Sequence, residues 1–237
     1  MAGRPRPEGA QREPLPQHLW GLVKAAVPPI HPEGRRFAAV PVVVGLLGWR
    51  YGWLRRASLL TAGAIAYFFR HPDRVPPTRS GAVVAPADGE VTLVDEAVPP
   101  PELGLGDAPL PRVSIFLSVL DVHVQRAPLA GRVAEVVHTP GQFLPADVVE
   151  ASTQNERCCL RLETDDQTAV GVVQIAGLVA RRILCEVAPG DWLQLAQTYG
   201  LIRFGSRVDT YLPAGTTLLP QVGQHAVGGE TLLAVLG

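Results

Sequence analysis

A glycine followed by a serine, Gly205-Ser206, sits in the stretch Leu201-Ile202-Arg203-Phe204-Gly205-Ser206-Arg207-Val208-Asp209, between two apolar runs with the look of strands. A serine hydroxyl so placed can attack the carbonyl carbon before it, turn the amide into an ester and break the chain there. The piece beginning at residue 206 then carries a modified serine at its N-terminus. An oxidised, carbonyl-bearing terminus is an electrophile that the chain builds without an added cofactor. Glycine at 205 suits this chemistry, because it tolerates strained backbone and lets a nucleophile come close. Most Gly-Ser pairs are simply turns, so the surroundings must decide.

Composition narrows the field. The chain has 237 residues, enough for one or two domains with a sizeable core. Its net charge of −1 makes no electrostatic case for nucleic acid as a partner. Cys158, Cys159 and Cys185 lack metal-ligand spacing, so no metal site is expected, and buried thiols in a reducing compartment are the simplest reading. Lys24 is the sole lysine. A pyridoxal-phosphate enzyme holds its cofactor on a lysine, and biotinyl and lipoyl carriers load theirs on one. Lys24 lies in a proline-rich tail and suits neither task. If the protein does imine chemistry, the carbonyl comes from elsewhere.

The elements that must position the Gly-Ser bond follow a clear order. Residues 1–36 are rich in Pro, Arg and Gly and read as a flexible tail, with a short helix over 19–27 and no secretory signal. Two apolar runs of about 12 residues, 37–48 and 58–69, are too short to span a bilayer of ~30 Å. The link between them, Trp49-Arg50-Tyr51-Gly52-Trp53-Leu54-Arg55-Arg56, has the make-up of a membrane–water interface. Together, 37–74 read as a helical hairpin dipping into one leaflet, with Arg35, Arg36, Arg55, Arg56, Arg70 and Arg74 favouring anionic headgroups on a cytoplasmic face. A buried soluble helix pair is the alternative. From residue 75 on the pattern turns to short strands about ten residues apart: 83–84, 90–94, 113–119, 131–137, 159–162, 169–175 and 182–187. A strand pair follows within 188–203, and 218–236 repeats the idea. A helix is plausible only over 146–153. The expected fold is mainly β, a sandwich or barrel-like unit with lipoyl-like topology behind a helical hairpin.

Six segments in order then resemble one family, the phosphatidylserine decarboxylases. Tyr67-Phe68-Phe69-Arg70-His71-Pro72-Asp73-Arg74 is similar to that family's Phe-Phe-Arg-Asp-Pro segment, and Pro86-Ala87-Asp88-Gly89 to its Pro-Ala-Asp-Gly turn. Asp121-Val122-His123 resembles its Asp-x-His segment, and Gly141-Gln142-Phe143-Leu144 its Gly-x-Phe segment. Val173-Gln174-Ile175-Ala176-Gly177 with Ala180-Arg181-Arg182-Ile183 is also similar, and 203–209 matches the self-cleavage segment of short, single-unit proenzymes. The chain departs from the pattern at His71, where the family usually has Asp. It departs again at Arg126, where long members carry a second histidine, and at Arg207, where they carry Ser or Thr.

The resemblance implies self-cleavage at Gly205-Ser206 into residues 1–205 and 206–237, a heterodimer of β and α chains. It implies a pyruvoyl group made from Ser206, with neither pyridoxal phosphate nor metal. It also implies decarboxylation of phosphatidylserine at the cell membrane. His123 is the best candidate base, since imidazole titrates near neutrality. Asp88 is the candidate carboxylate to orient it. Asp121 is the runner-up, because on a strand it would share a face with His123. His138 and His225 read as surface turn residues, and Arg181-Arg182 as a phosphate or carboxylate contact or a solvated pair. Two rivals remain: a membrane-tethered lipoyl-like adaptor, which would stay one intact chain, and a pyruvoyl decarboxylase of a soluble amino acid, which would need no apolar hairpin.

Overall fold

The computed structural model describes residues 28–146, 148, 150–178, 180 and 182–237. The helix expected over 19–27 and the side chain of Arg181 lie outside the described residues.

A helical hairpin comes first, α1 (Pro32–Leu47) and α2 (Gly52–Phe68). The boundary expected at residue 37 is too late. Pro32 opens α1, where a missing N–H costs nothing, and the His31 imidazole accepts the Glu33 N–H at 3.4 Å. Gly45 lets the helices close up, since a Cβ there would lie 2.9 Å from Ser58 Cβ. The base of the hairpin is clamped by backbone bonds from His31 to Phe69 and from His71 to Pro29, at 2.8 and 2.7 Å. No helix among the described residues is long and apolar enough to cross a membrane. Val40, Leu46, Leu47, Trp49, Trp53 and Leu60 are nevertheless exposed.

The strands follow in order: β1 (Ala82–Val84), β2 (Gly89–Ala97), β3 (Leu110–Leu117), β4 (Val124–Arg126) and β5 (Gly131–Thr139). After one turn of helix, α3 (Ala151–Gln154), come β6 (Arg157–Glu163), β7 (Ala169–Ala176) and β8 (Arg182–Cys185). The chain ends with β9 (Trp192–Leu193), β10 (Thr198–Arg203), β11 (Ser206–Tyr211), β12 (His225–Ala226) and β13 (Leu232–Val235). The mainly β fold behind a hairpin is as expected. The helix expected over 146–153 shrinks to α3, β4 was not anticipated, and β3 and β8 each stop two residues early.

An eight-stranded sheet runs in the order β12-β2-β3-β11-β7-β6-β5-β9, beside a three-stranded sheet β4-β10-β8 and the pair β1-β13. All these pairings are antiparallel. Alternation along β6 and β7 sends Leu160, Leu162, Val170 and Val172 into the main core, where Tyr199, Ile202 and Val208 meet them. Cys159, Val173 and Ile175 point the other way, under Leu103, Ala151 and Tyr211. Both faces of the central strands are therefore buried, which is why these strands read as continuous apolar runs.

One ion pair is sunk in this second layer. Arg207 is 2% and Asp209 1% exposed, and they meet two residues apart on one face of β11. Arg207 donates from Nε and Nη2 to the two carboxylate oxygens of Asp209, at 2.9 and 3.1 Å. It also donates to the Ala146 carbonyl at 3.1 Å and to the Ser152 hydroxyl. Removing the carboxylate strands a buried guanidinium. Asp209→Ala, made in an uncut Ser206→Ala background, is expected to lose roughly 3–5 kcal/mol of stability in urea unfolding.

Candidate active site

Ser206 opens β11 in the middle of the large sheet, opposite Leu117 of β3 and Ala176 of β7. The strand before it, β10, belongs to the three-stranded sheet. The chain therefore changes sheets at Phe204-Gly205, and it does so through two successive left-handed residues, with φ of 69° and 38°. A non-glycine in that region costs on the order of 1–3 kcal/mol. Ring packing of Phe204 against Phe68, 4.6 Å between centroids, helps hold it there. The Gly205 carbonyl is pressed against Gly177, where an added Cβ would lie 2.4 Å from the oxygen. Ser206 is fully buried, and its Oγ has no hydrogen-bond partner among the described residues.

His123 is the second buried group, 1% exposed, in the segment leading into β4. Its Nδ1 lies 3.0 Å from the Asp121 carbonyl oxygen. A carbonyl only accepts, so Nδ1 carries the proton and Nε2 bears the free lone pair. Nε2 is buried and has no partner among the described residues. Burial pushes the pKa down to about 4, against the pull of the Asp121 carbonyl and carboxylate, so the ring stays neutral at pH 7. Its other face of contact is aromatic: the Phe68 ring lies 4.3 Å away, centroid to centroid. Phe68 thus packs against both His123 and Phe204, the residue before Gly205. The His123 carbonyl is held by the Ile202 N–H and by Gln125 Nε2, which in turn is backed by Gln174.

The two candidate orienters are placed differently from expectation. Asp121 does not share a strand face with His123, because residues 118–121 form a turn ahead of β4. The Asp121 carboxylate faces Ser118, accepting from its N–H at 2.8 Å and its hydroxyl at 2.7 Å, and meets His225 Nε2 at 3.1 Å. Its backbone carbonyl, rather than its side chain, orients the imidazole. Asp88 is committed elsewhere too. One oxygen takes the Arg74 guanidinium at 2.6 Å, and the other takes the Gly228 N–H at 2.7 Å. Burial raises the Asp88 pKa, and Arg74 and the Gly228 N–H pull against that. His225, read as a solvated turn residue, is exposed as expected, but it lies in β12 and its ring meets Asp121. His138 lies on β5, not in a turn, 3.3 Å from Glu156.

Of the three departures from the family pattern, Arg207 follows Ser206 in β11 and pairs with Asp209, while Arg126 and His71 are engaged elsewhere. Arg126 donates to the carbonyls of Ala196 and Pro72 at 3.1 and 2.7 Å, so it fastens backbone. His71 meets the Thr198 hydroxyl at 3.0 Å. Burial, with Arg126 nearby, lowers its pKa and so favours the neutral ring over the cation, and an imidazole does not supply the carboxylate charge of an Asp at this place. Sequence reasoning missed Phe68 and Gly177 as site residues. Phe68 carried a signal, since it falls in the Phe-Phe-Arg motif, whereas the role of Gly177 emerges only from its contact with Gly205.

A cavity of about 810 Å³ opens beside Phe204, between α2 and the 118–121 turn. Phe37, Ile65, Phe68, Phe69 and Leu120 make most of its lining apolar, and Arg182 and Arg203 supply charge. The Arg203 guanidinium lies 5.1 Å from the Phe37 ring centroid.

Comparison with known proteins agrees with this geometry. The family model described as phosphatidylserine decarboxylase matches residues 62–234. The chain is 59% identical to the phosphatidylserine decarboxylase proenzyme of Rhodococcus jostii (strain RHA1) and 60% identical to that of Nocardia farcinica (strain IFM 10152), with the whole of each chain covered. It is 58% identical to the proenzyme of Mycobacterium avium (strain 104), again over the full length of both.

Two outcomes are expected from this geometry. Gly177→Ala should displace the Gly205 carbonyl and slow separation of 1–205 from 206–237 on the order of a hundredfold, followed by gel and intact mass. His123 binds a proton more readily unfolded, near 6.5, than folded, near 4. Its contribution to stability is therefore present above about pH 6.5 and is lost as the pH falls toward about 4. Urea titrations of Ser206→Ala with and without His123→Gln should show a steeper slope over that range where the histidine is kept, the remainder coming from groups such as His71, whose pKa burial also lowers.

Proposed function

The chain belongs to the phosphatidylserine decarboxylase family, and we propose that it cuts itself at Gly205-Ser206 to make the ketone with which it decarboxylates phosphatidylserine. One observation carries the reading. The serine hydroxyl and the imidazole lone pair are complementary and buried, and neither has a partner among the described residues, while Phe68 packs on His123 and on Phe204, the residue before the Gly205-Ser206 bond. Leaving such groups unpaired costs roughly 1–3 kcal/mol each, and of the buried groups left so, these two are the hydroxyl and the base that the cleavage chemistry needs.

In processing, His123 Nε2 takes the Ser206 proton as Oγ attacks the Gly205 carbonyl carbon. The C–N bond breaks, giving an ester, and the amine of residue 206 is freed. Loss of the proton on the residue 206 α-carbon then breaks the Cβ–O bond. Residues 1–205 leave with a carboxylate, and dehydroalanine remains at 206. Water replaces its nitrogen, which departs as ammonia, and a pyruvoyl terminus is left. The turn at Phe204-Gly205 bends the chain sharply at the carbonyl under attack, and Gly177 leaves room for that carbonyl and little else. The backbone of β11 between β3 and β7, with β13 on β1, supports continued assembly of the two pieces as an α/β pair.

In turnover, the pyruvoyl ketone supplies an electron sink for the carbon that loses carbon dioxide. His123 is placed to hold a proton and return it to that carbon. Phe68 and Phe204 keep water from the reacting end. The apolar cavity suits the glycerol and acyl part of the lipid, with Arg182 and Arg203 for its phosphate. The cavity and the exposed apolar hairpin also favour a lipid over a soluble amino acid. We place the protein on the cytoplasmic side of the cell membrane, with α1 and α2 lying shallowly in one leaflet. Trp49, Tyr51 and Trp53 at the tip beside Arg50, Arg55 and Arg56 have the chemistry of that interface.

Intact mass should find two pieces in place of a 25.3 kDa chain, the smaller one sensitive to borohydride. Ser206→Ala should stay whole and inactive; cleavage or decarboxylation by that variant would end the proposal. Because His123 holds its neutral form down to about 4, processing should not fall off on the acid limb near pH 6.5 and should be lost only as the pH approaches about 4. Vesicles containing anionic lipid should bind the protein, and Trp49→Ser with Trp53→Ser should weaken that binding. Self-association without lipid would instead assign the apolar tip to a second copy.

A further inference from the structure

Taking His123 as the base proposed above, we infer that His225 is a positioning residue for His123, acting from the small piece onto the large one. The imidazole of His123 is oriented by a main-chain carbonyl, that of Asp121, at 3.0 Å. A carbonyl has no orientation of its own, so the turn that carries it must be held. Three contacts hold this turn. The Asp121 carboxylate folds back on Ser118, with bonds to its N–H and hydroxyl. Arg70 Nη2 grips the Leu120 carbonyl at 2.6 Å from the end of the hairpin. His225 Nε2 closes the third side on Asp121 Oδ1 at 3.1 Å.

His225 is itself fixed. It lies in β12 and faces Glu90 of β2, whose next pairing is with Phe116 of β3. The route from the sheet to the base therefore runs from β12 through the His225 ring and the Asp121 carboxylate to the Asp121 carbonyl and His123 Nδ1. Residue 225 falls within 206–237, while Asp121 and His123 fall within 1–205. After cleavage the contact crosses between the two pieces. The small piece would thus bring to the site both the ketone and one of the supports that set the tautomer of the base. The His225 side chain is exposed and adds little to the core, so its hydrogen bond to Asp121 is the contact that matters here.

The test uses the whole, self-processed protein with phosphatidylserine in mixed micelles. His225→Leu should lower kcat on the order of tenfold to a hundredfold with little change in KM or in thermal midpoint. His225→Gln, whose amide N–H can still donate to Asp121, should recover most of that loss. Asp121→Ala should lose as much, and the double variant should be no worse than Asp121→Ala alone. If His225→Leu fails to process, the same pattern is read from the cleavage rate, since His123 serves both steps. An unchanged kcat in His225→Leu, a His225→Gln variant as poor as His225→Leu, or additive losses in the double variant would overturn the inference. Failure of the underlying reading shows separately, as decarboxylation surviving in His123→Ala.

Discussion

Ser206 is locked by hydrogen bonds on both sides into the centre of a sheet, while its hydroxyl has none among the described residues. Everything else in the structure follows from that combination. A central strand cannot move its first residue without breaking two ladders, so the hydroxyl stays where it is. The carbonyl it must reach belongs to the residue before it. That residue has therefore left the sheet, and the chain turns out of β11 into a different sheet within two left-handed positions. Backbone strain is concentrated at Phe204, just ahead of the Gly205-Ser206 bond, and the packing of Phe204 on Phe68 helps bear its cost.

The second requirement is a base that works in a dry place. A carboxylate partner would have raised the imidazole's affinity for a proton. A backbone carbonyl orients the ring and selects its tautomer with a weaker electrostatic pull. Burial against Phe68 then keeps His123 uncharged. A neutral imidazole with a free lone pair is the form that can accept a proton from a hydroxyl. The same apolar wall that depresses its pKa lines the cavity, so base and substrate pocket share one surface.

The hairpin is joined to this site through its last turn and the strap that follows it. Phe68 and Phe69 end α2 inside the protein, Arg70 reaches the 118–121 turn, and Arg74 reaches Asp88. Arg126 fastens the strap at Pro72, and Asp88 links it to Gly228 near the C-terminus. The exposed apolar hairpin and the buried site are thus parts of one continuous packing arrangement. Buried charge in the strap is spent on holding backbone, which accounts for Arg126 where long relatives have histidine.

Sequence alone determined a good deal. Alternating apolar residues and turn signals set the strands, two apolar runs and an aromatic-basic link set the hairpin, and Gly205-Ser206 marked the bond. These are local properties: periodicity, steric freedom and side-chain chemistry act within a few residues and can be read in a line. Motif order also brought His123 and Ser206 forward as a pair. Which atom orients His123, what Asp88 bonds to, and why Gly177 has no side chain were decided only in three dimensions. Asp121 is two residues from His123, yet a turn rather than a strand separates them, so the carboxylate and the carbonyl exchange the roles that spacing suggests. Asp88 is claimed by Arg74 and Gly228, and Gly177 is met by Gly205, because strands distant in the chain lie side by side in the sheets. Such contacts depend on which strands become neighbours, and that is a property of the packed whole.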